Sequence, residues 1–154
     1  FFDLIKIDDN KILITIADVS LKGIPAAMYM AKLQALIHLA VKHFNTPSEI
    51  LKVINSWTYK KLERNCFISM SIAIIDFESK VISIARGGNC PAIRYTDHSD
   101  YILDSKGMAL GIADSDVFGS NIEDMKINFS LNDLFLFYTN GLTKISNLSK
   151  EEIG

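Results

Sequence analysis

Residues 67–77 read Phe67-Ile68-Ser69-Met70-Ser71-Ile72-Ala73-Ile74-Ile75-Asp76-Phe77. Side chains alternate across an extended chain, so Ile68, Met70, Ile72 and Ile74 share one side and Ser69, Ser71 and Ala73 the other. The pattern predicts a half-buried strand. A turn at Phe77-Glu78-Ser79-Lys80 leads into a second strand, Val81 to Arg86, and so short a turn returns the chain antiparallel to itself. Upstream, Phe1 to Ile7 and Lys11 to Val19 read as two strands joined at Asp8-Asp9-Asn10, residue types that tolerate left-handed backbone and bond their own main chain. The run Ile12 to Ala17 is almost wholly apolar and β-branched, which suits a strand covered on both faces.

Two helices separate these pairs. In the first, Pro25 to Phe44, Gln34, His38 and Lys42 form one polar strip and most of the remaining circumference is apolar, which predicts a largely buried helix. The second, Pro47 to Arg64, opens with the capping box Thr46-Pro47-Ser48-Glu49. It carries Ile50, Leu51, Ile54, Trp57 and Leu62 on one broad face, with Lys52, Asn55, Lys60 and Glu63 mostly elsewhere. After Gly87-Gly88 come short strands at Ala92 to Tyr95 and Tyr101 to Leu103, a longer one around Ile122 to Phe129, and Leu134 to Thr139, which Asn140-Gly141 breaks. Two strands, two helices and then a run of strands argue for an α+β fold with mainly antiparallel sheets, not a βαβ repeat. Both helices are expected to pack on one face of a sheet.

Composition narrows the function. The 154 residues are 49% hydrophobic and 22% charged, which excludes disorder as the dominant state. Repeats and linkers are absent, so residues 1–154 read as one domain. The 16 basic and 18 acidic residues leave a net charge of −2, without the basic excess of a nucleic-acid binder. Cys66 and Cys90 lack metal-motif spacing and read as buried free thiols of a reducing compartment, the cytoplasm. The apolar stretch Ile24 to Phe44 is broken by Lys32, Gln34, His38, Lys42 and His43 and makes a poor membrane span. No signal peptide opens the chain. It starts without Met inside a strand and stops at Gly154 after a helix-like start, which reads as a piece of a longer protein.

Two strand ends carry the chemistry. Asp18 ends an apolar strand just before a glycine-containing turn into a helix. A carboxylate there, with backbone carbonyls nearby, suits a hard cation or caps the turn. Tyr138-Thr139-Asn140-Gly141 closes another apolar strand and reads locally as a turn. Ser20 has no evident base to activate it, Lys22-Gly23 lacks the upstream glycine of a phosphate loop, and His38, His43 and His98 lack zinc spacing.

At these residues the chain resembles the bacterial metal-dependent serine/threonine protein phosphatases of type 2C, in the branch of sporulation stage II protein E. That branch reads G-G-D-[YF]-[YF]-D, D-V-[SA]-G-[KH]-G-[IV]-P-A-A, N-A-G-H-x-P, L-G-[IV] and Y-T-D-G-[VL]-T-E. Here stand Phe1-Phe2-Asp3, then Asp18-Val19-Ser20-Leu21-Lys22-Gly23-Ile24-Pro25-Ala26-Ala27, Arg86-Gly87-Gly88-Asn89-Cys90-Pro91, Leu110-Gly111-Ile112 and Tyr138-Thr139-Asn140-Gly141-Leu142-Thr143-Lys144. The resemblance implies two packed, mainly antiparallel β-sheets flanked by helices, an α-β-β-α sandwich. It also implies two Mn²⁺ or Mg²⁺ ions that activate a water against a phosphoserine or phosphothreonine. Asp18 would be the bridging ligand and catalytic residue, the Val19 carbonyl a further ligand, and Asn140 the last.

The departures matter as much. The Asp of G-G-D would fall before Phe1 and the late acidic motif after Gly154, so the domain reads as truncated at both ends. Leu21 replaces a glycine, and Asn140 stands where the branch has Asp. Two readings stay open. One is an active phosphatase of a phosphorylated signalling protein of the anti-sigma-factor antagonist type, acting in the cytoplasm. The other is a degenerate, non-catalytic domain used for regulation or partner binding. A homodimer is left open, and nucleic acid and membrane insertion are not expected.

Overall fold

The computed structural model describes residues 1–63, 66–97, 99–143 and 145. Arg64 at the expected helix end, His98 and Lys144 lie outside the described residues. The chain runs β1 (Phe2–Lys6), β2 (Lys11–Val19), α1 (Ile24–Ala40), α2 (Pro47–Thr58), β3 (Ile68–Asp76), β4 (Val81–Gly87), β5 (Ala92–Tyr95), β6 (Asp100–Leu103), α3 (Ser115–Ser120), β7 (Met125–Asn128), β8 (Leu134–Leu136) and α4 (Asn140–Thr143). Five strands form one sheet in the order β1-β2-β3-β4-β7, and three form another in the order β6-β5-β8. Every named strand pair is antiparallel. The β3–β4 hairpin forms as its alternation predicts, and Asp76 closes its turn by accepting the Glu78 and Ser79 amides at 3.0 and 3.1 Å.

The ladder register sorts the large sheet into two faces, because directly opposed residues point the same way. Leu13, Ala17 and Val19 of β2 lie opposite Ile74, Met70 and Ile68 of β3. These residues pack with Leu33, Ile37 and Ala40 of α1 and Ile50, Leu51 and Ile54 of α2. On the reverse face Ala73 lies opposite Ile84, and Ile75 opposite Ile82. This side meets the small sheet through Ala92, Leu103, Phe135 and Phe137. The layers are therefore helices, large sheet, small sheet. Among the described residues the outer face of the small sheet stays open, with Ile102 73% and Leu134 62% exposed.

Three expectations need correction. β3 is buried on both faces, with Ser69, Ser71 and Ala73 covered as fully as its isoleucines. Their alternation reports side-chain size: small residues let a second layer approach, and the hydroxyls find partners inside the protein. The expected single helix Pro47 to Arg64 ends at Thr58, where Tyr59 turns extended and Lys60 takes a left-handed φ of 61°. On it Asn55 is fully buried while Trp57 is 52% exposed, the reverse of the wheel reading. Finally, α1 is not largely buried. Only Leu33, Ile37 and Ala40 are, while Ile24, Met28 and Leu39 face solvent. An apolar groove of about 430 Å³ separates it from α2, lined by Leu36, Leu39, Trp57 and Leu62 among others. Among the described residues no helix is long and apolar enough to cross a membrane.

Candidate functional site

Asp18 is the one exposed residue in the second half of β2, set between buried Ala17 and Val19. Its ladder partner is Ser69 on β3, so its side chain shares the inter-sheet side with Ser69 and Ser71. The carboxylate makes no hydrogen bond and no ion pair among the described residues, and only the Asp18 carbonyl is engaged, by Ser69 Oγ at 3.4 Å. The apolar strand that Asp18 ends does not bury its carboxylate. An exposed one has little desolvation to offset, and it is free to take a cation from solvent. Val19 is 5% exposed, so only its main-chain oxygen is a candidate donor.

The turn that follows is fastened rather than loose. Ser20 donates its amide to the Phe67 carbonyl at 3.0 Å, and its Oγ accepts the Phe67 amide at 2.9 Å. Leu21 is half-buried against the helix-side core, which accounts for an apolar residue in place of glycine. Gly23, at φ 73° and ψ −152°, turns the chain into α1 in a conformation that side chains rarely adopt.

Asn140 lies at the other strand end, as the first residue of α4, where the sequence predicted only a turn. It is exposed, and its Oδ1 accepts a hydrogen bond from Cys90 Sγ at 3.0 Å. Cys90 is thus a half-exposed free thiol at this site, not a buried one, whereas Cys66 is buried as expected. Next to it Asn89 donates through Nδ2 to Ser71 Oγ and to the Tyr138 carbonyl, both at 3.3 Å. Asp18 and Asn140 are not hydrogen-bonded to each other. Ser69 and Ser71 share the inter-sheet side of β3 with Asp18, Asn89 bonds to Ser71, and Cys90 bonds to Asn140, so these groups line one rim without a continuous chain of bonds among the described residues.

The other motif residues build the wall of that rim. A side chain on Gly88 would stand 2.7 Å from the Ala109 nitrogen, and Met70 bridges to Gly88. Leu110 exchanges two main-chain bonds with Ile68. Gly111, at φ 86°, gives its amide to the buried Asn55 Oδ1 at 2.9 Å, and Asn55 Nδ2 reaches the Ala113 carbonyl at 3.1 Å. Gly88 and Leu110 thus join Met70 and Ile68 of β3, and the Gly111 turn ties the same wall to α2. Sequence reasoning missed Asn55, Ser71 and Asn89 because a buried polar residue looks like an exposed one until its partners are known.

A second missed constellation lies on the helix side. Asp3 on β1 accepts from Gln34 Nε2 at 3.1 Å and meets His38 Nε2 at 2.9 Å, so the polar strip of α1 faces a carboxylate. Burial pushes the Asp3 carboxyl up, but the bonds from Gln34, His38 and the Leu4 amide outweigh it and hold its pKa below the usual value.

Carboxylate, carbonyl and amide oxygens are the donor types a hard dication takes. Asp18 brings the one formal charge among the proposed ligands. No group of three His, Cys, Asp or Glu residues able to hold a metal occurs among the described residues.

The family model of stage II sporulation protein E (SpoIIE) matches residues 8–154. The chain belongs to the SpoIIE family. This SpoIIE-family chain is 29% identical over 142 residues to the phosphoserine phosphatase RsbU of Bacillus subtilis (strain 168), covering 89% of itself and 40% of that protein. It thus spans about two-fifths of the length of that curated relative. Among solved structures it superposes on the SiaA PP2C domain of Pseudomonas aeruginosa with a TM-score of 0.84 at 16% identity, over 100% of this chain and 61% of that one. It superposes on RsbX, solved in complex with magnesium, with a TM-score of 0.74 at 17% identity, over 92% of this chain and 66% of that one. The two packed antiparallel sheets expected from the sequence are those of PP2C domains.

Proposed function

We propose that this chain is the core of a metal-dependent phosphatase domain that hydrolyses phosphoserine or phosphothreonine on a bacterial signalling protein. By the family resemblance, the substrate class is an anti-sigma-factor antagonist. The observation that carries the reading is Asp18: an exposed carboxylate, unpaired among the described residues, at the end of the inner strand β2, in the D-V-S motif of a SpoIIE-family chain that is related to a phosphoserine phosphatase.

Asp18 and the Val19 carbonyl would hold the cation from one strand end, and Asn140 Oδ1 from the other. Bound Mn²⁺ or Mg²⁺ supplies an acidified water and neutralises charge on the phosphoryl oxygens. Asp18 projects from a strand whose neighbours Ala17 and Val19 are buried in the core, so its backbone is fixed while its carboxylate stays solvated. Asn140 adds an oxygen without charge, so Asp18 carries the electrostatics of these two strand ends alone. For Asn140 Oδ1 to face a cation, its bond from the Cys90 thiol must be shared or released.

The test is phosphate release from a phosphoserine peptide by the full-length protein across a Mn²⁺ titration. The expected result is Mn²⁺-dependent turnover that Asp18→Asn abolishes and Asn140→Asp raises, because a carboxylate restores a formal charge and a harder donor. The neutral Asn140 favours the second reading, a regulatory domain without catalysis. Inert wild-type and Asn140→Asp proteins in excess metal would establish it.

A further inference from the structure

We infer that Asn89 is a positioning residue: it clasps the segment carrying Asn140 to β3 and so sets where Asn140 stands. The inference rests on the metal-dependent reading proposed above. The ladder of β8 stops at Leu136, where it pairs with Ile93. From Phe137 to Thr143 the chain has no sheet partner, and α4 is only four residues long. Among the described residues, two long-range hydrogen bonds hold this segment, from Asn89 Nδ2 to the Tyr138 carbonyl and from Cys90 Sγ to Asn140 Oδ1. Both come from one turn. Phe137 adds apolar packing under the small sheet, but packing there does not orient a side chain three residues on.

The turn itself is immobilised from three directions. Gly88 is pressed against Ala109 and bridged to Met70, so it cannot carry a side chain. Arg86 Nη1 donates to the Asn89 carbonyl at 2.6 Å, and the same guanidinium is anchored on the Ser105 carbonyl and the Asp104 carboxylate. The Asn89 side chain, with the residue 3% exposed, reaches down to Ser71 Oγ on the central strand. Its Oδ1 is buried with no hydrogen-bond partner among the described residues. An apolar residue here would leave the Ser71 hydroxyl and the Tyr138 carbonyl without this donor, while Asn89 leaves one acceptor, its own Oδ1, unpaired. Its two donated bonds are what it contributes, and both run between the central strand and the segment leading to Asn140.

The experiment compares wild type with Asn89→Leu, which keeps the branched shape and removes the donors. Asn89→His, which restores an N–H donor and matches the residue of the N-A-G-H-x-P motif at this place, serves as the rescue. Two quantities are read on the full-length protein. The first is Mn²⁺ binding by calorimetry alongside the Mn²⁺ concentration for half-maximal phosphate release. The second is hydrogen exchange of peptides covering residues 137–143 without metal. Asn89→Leu is expected to raise the Mn²⁺ requirement about tenfold, the scale of losing a residue that orients a ligand, with turnover at saturating Mn²⁺ within about twofold of wild type. It should speed exchange in 137–143 several-fold with β3 unchanged, and Asn89→His should recover most of both. Unaltered exchange in 137–143 and an unaltered Mn²⁺ requirement would overturn the clasp. If wild type neither binds Mn²⁺ nor releases phosphate, the phosphatase reading falls, and exchange alone then decides the clasp. If Asn89→Leu does not fold, Asn89→Ala read by the same exchange decides, faster exchange in 137–143 upholding the clasp and unaltered exchange overturning it.

Discussion

The two long helices cover the same face of the same sheet and are held in opposite ways. In α2, seven of twelve residues are buried, Thr46 and Glu49 close a reciprocal capping box, and Ser48 takes Asp124 through both its amide and its hydroxyl at 2.8 and 2.6 Å. Asn55 then ties the middle of α2 to the Gly111 turn. In α1, three of seventeen residues are buried, Gly23 offers no side-chain cap, and the polar tie to the sheet runs through Gln34 and His38 to Asp3. One helix is part of the wall behind β3. The other is moored at its C-terminal half, while its first turn, directly after the Asp18 turn, stands in solvent. The difference lies in the polar residues and not the apolar ones, since α1 is the more hydrophobic sequence of the two.

The largest contrast is expected from paired truncations. Ile54→Ala on α2 removes a side chain that is 1% exposed and should cost about 2–5 kcal/mol. Leu39→Ala on α1, 54% exposed, should stay within about 0.5 kcal/mol. Chemical denaturation of both variants checks the pair, and equal losses would erase the distinction. Next comes Asn55→Ala, which strands the Gly111 amide and the Ala113 carbonyl. A loss of about 2 kcal/mol is expected, and an unchanged denaturation midpoint would show that water replaces the amide.

Thr46→Ala should cost about 1 kcal/mol through the cap. The start of α1 has no side-chain cap bond to lose, and there the sensitive position is the Gly23 backbone, where Gly23→Ala should cost about 1–3 kcal/mol through its φ of 73°. The smallest effect concerns the mooring of α1. Asp3 has its folded pKa lowered, so its contribution is present above the ordinary carboxylate value of 3.8 and is lost as pH falls through the lowered folded value. Asp3→Asn should therefore cost up to about 1 kcal/mol at neutral pH. Its stability should converge on that of wild type toward pH 2, read as thermal midpoints across a pH series. A constant gap at all pH values would remove the carboxylate from the mooring.

Much of this was legible beforehand. The alternation over Phe67–Phe77 and the turn at Phe77-Glu78-Ser79-Lys80 predicted the central hairpin because both are local. The capping box at Thr46 marked the start of α2 for the same reason. Its end was not legible: Lys60 takes a left-handed φ although nothing in its type demands one. α3 escaped notice as a six-residue helix capped by the Asp114 side chain on the Val117 amide. α4 was hidden behind Asn140-Gly141, a dipeptide that usually signals a turn.

The sequence by itself determined which residues alternate, where the chain turns and which five motifs follow one another, because periodicity, caps and glycine steric freedom act over a few residues. Only the tertiary structure decided that Ser69 and Ser71 are interior, that Asp18 is exposed and, among the described residues, unpaired, and that Asn89 reaches both Ser71 and Tyr138. Each of those is a relation between segments far apart in the chain. Whether a polar side chain is solvated, satisfied or left free depends on the second segment that folding brings against it, and no local pattern carries that information.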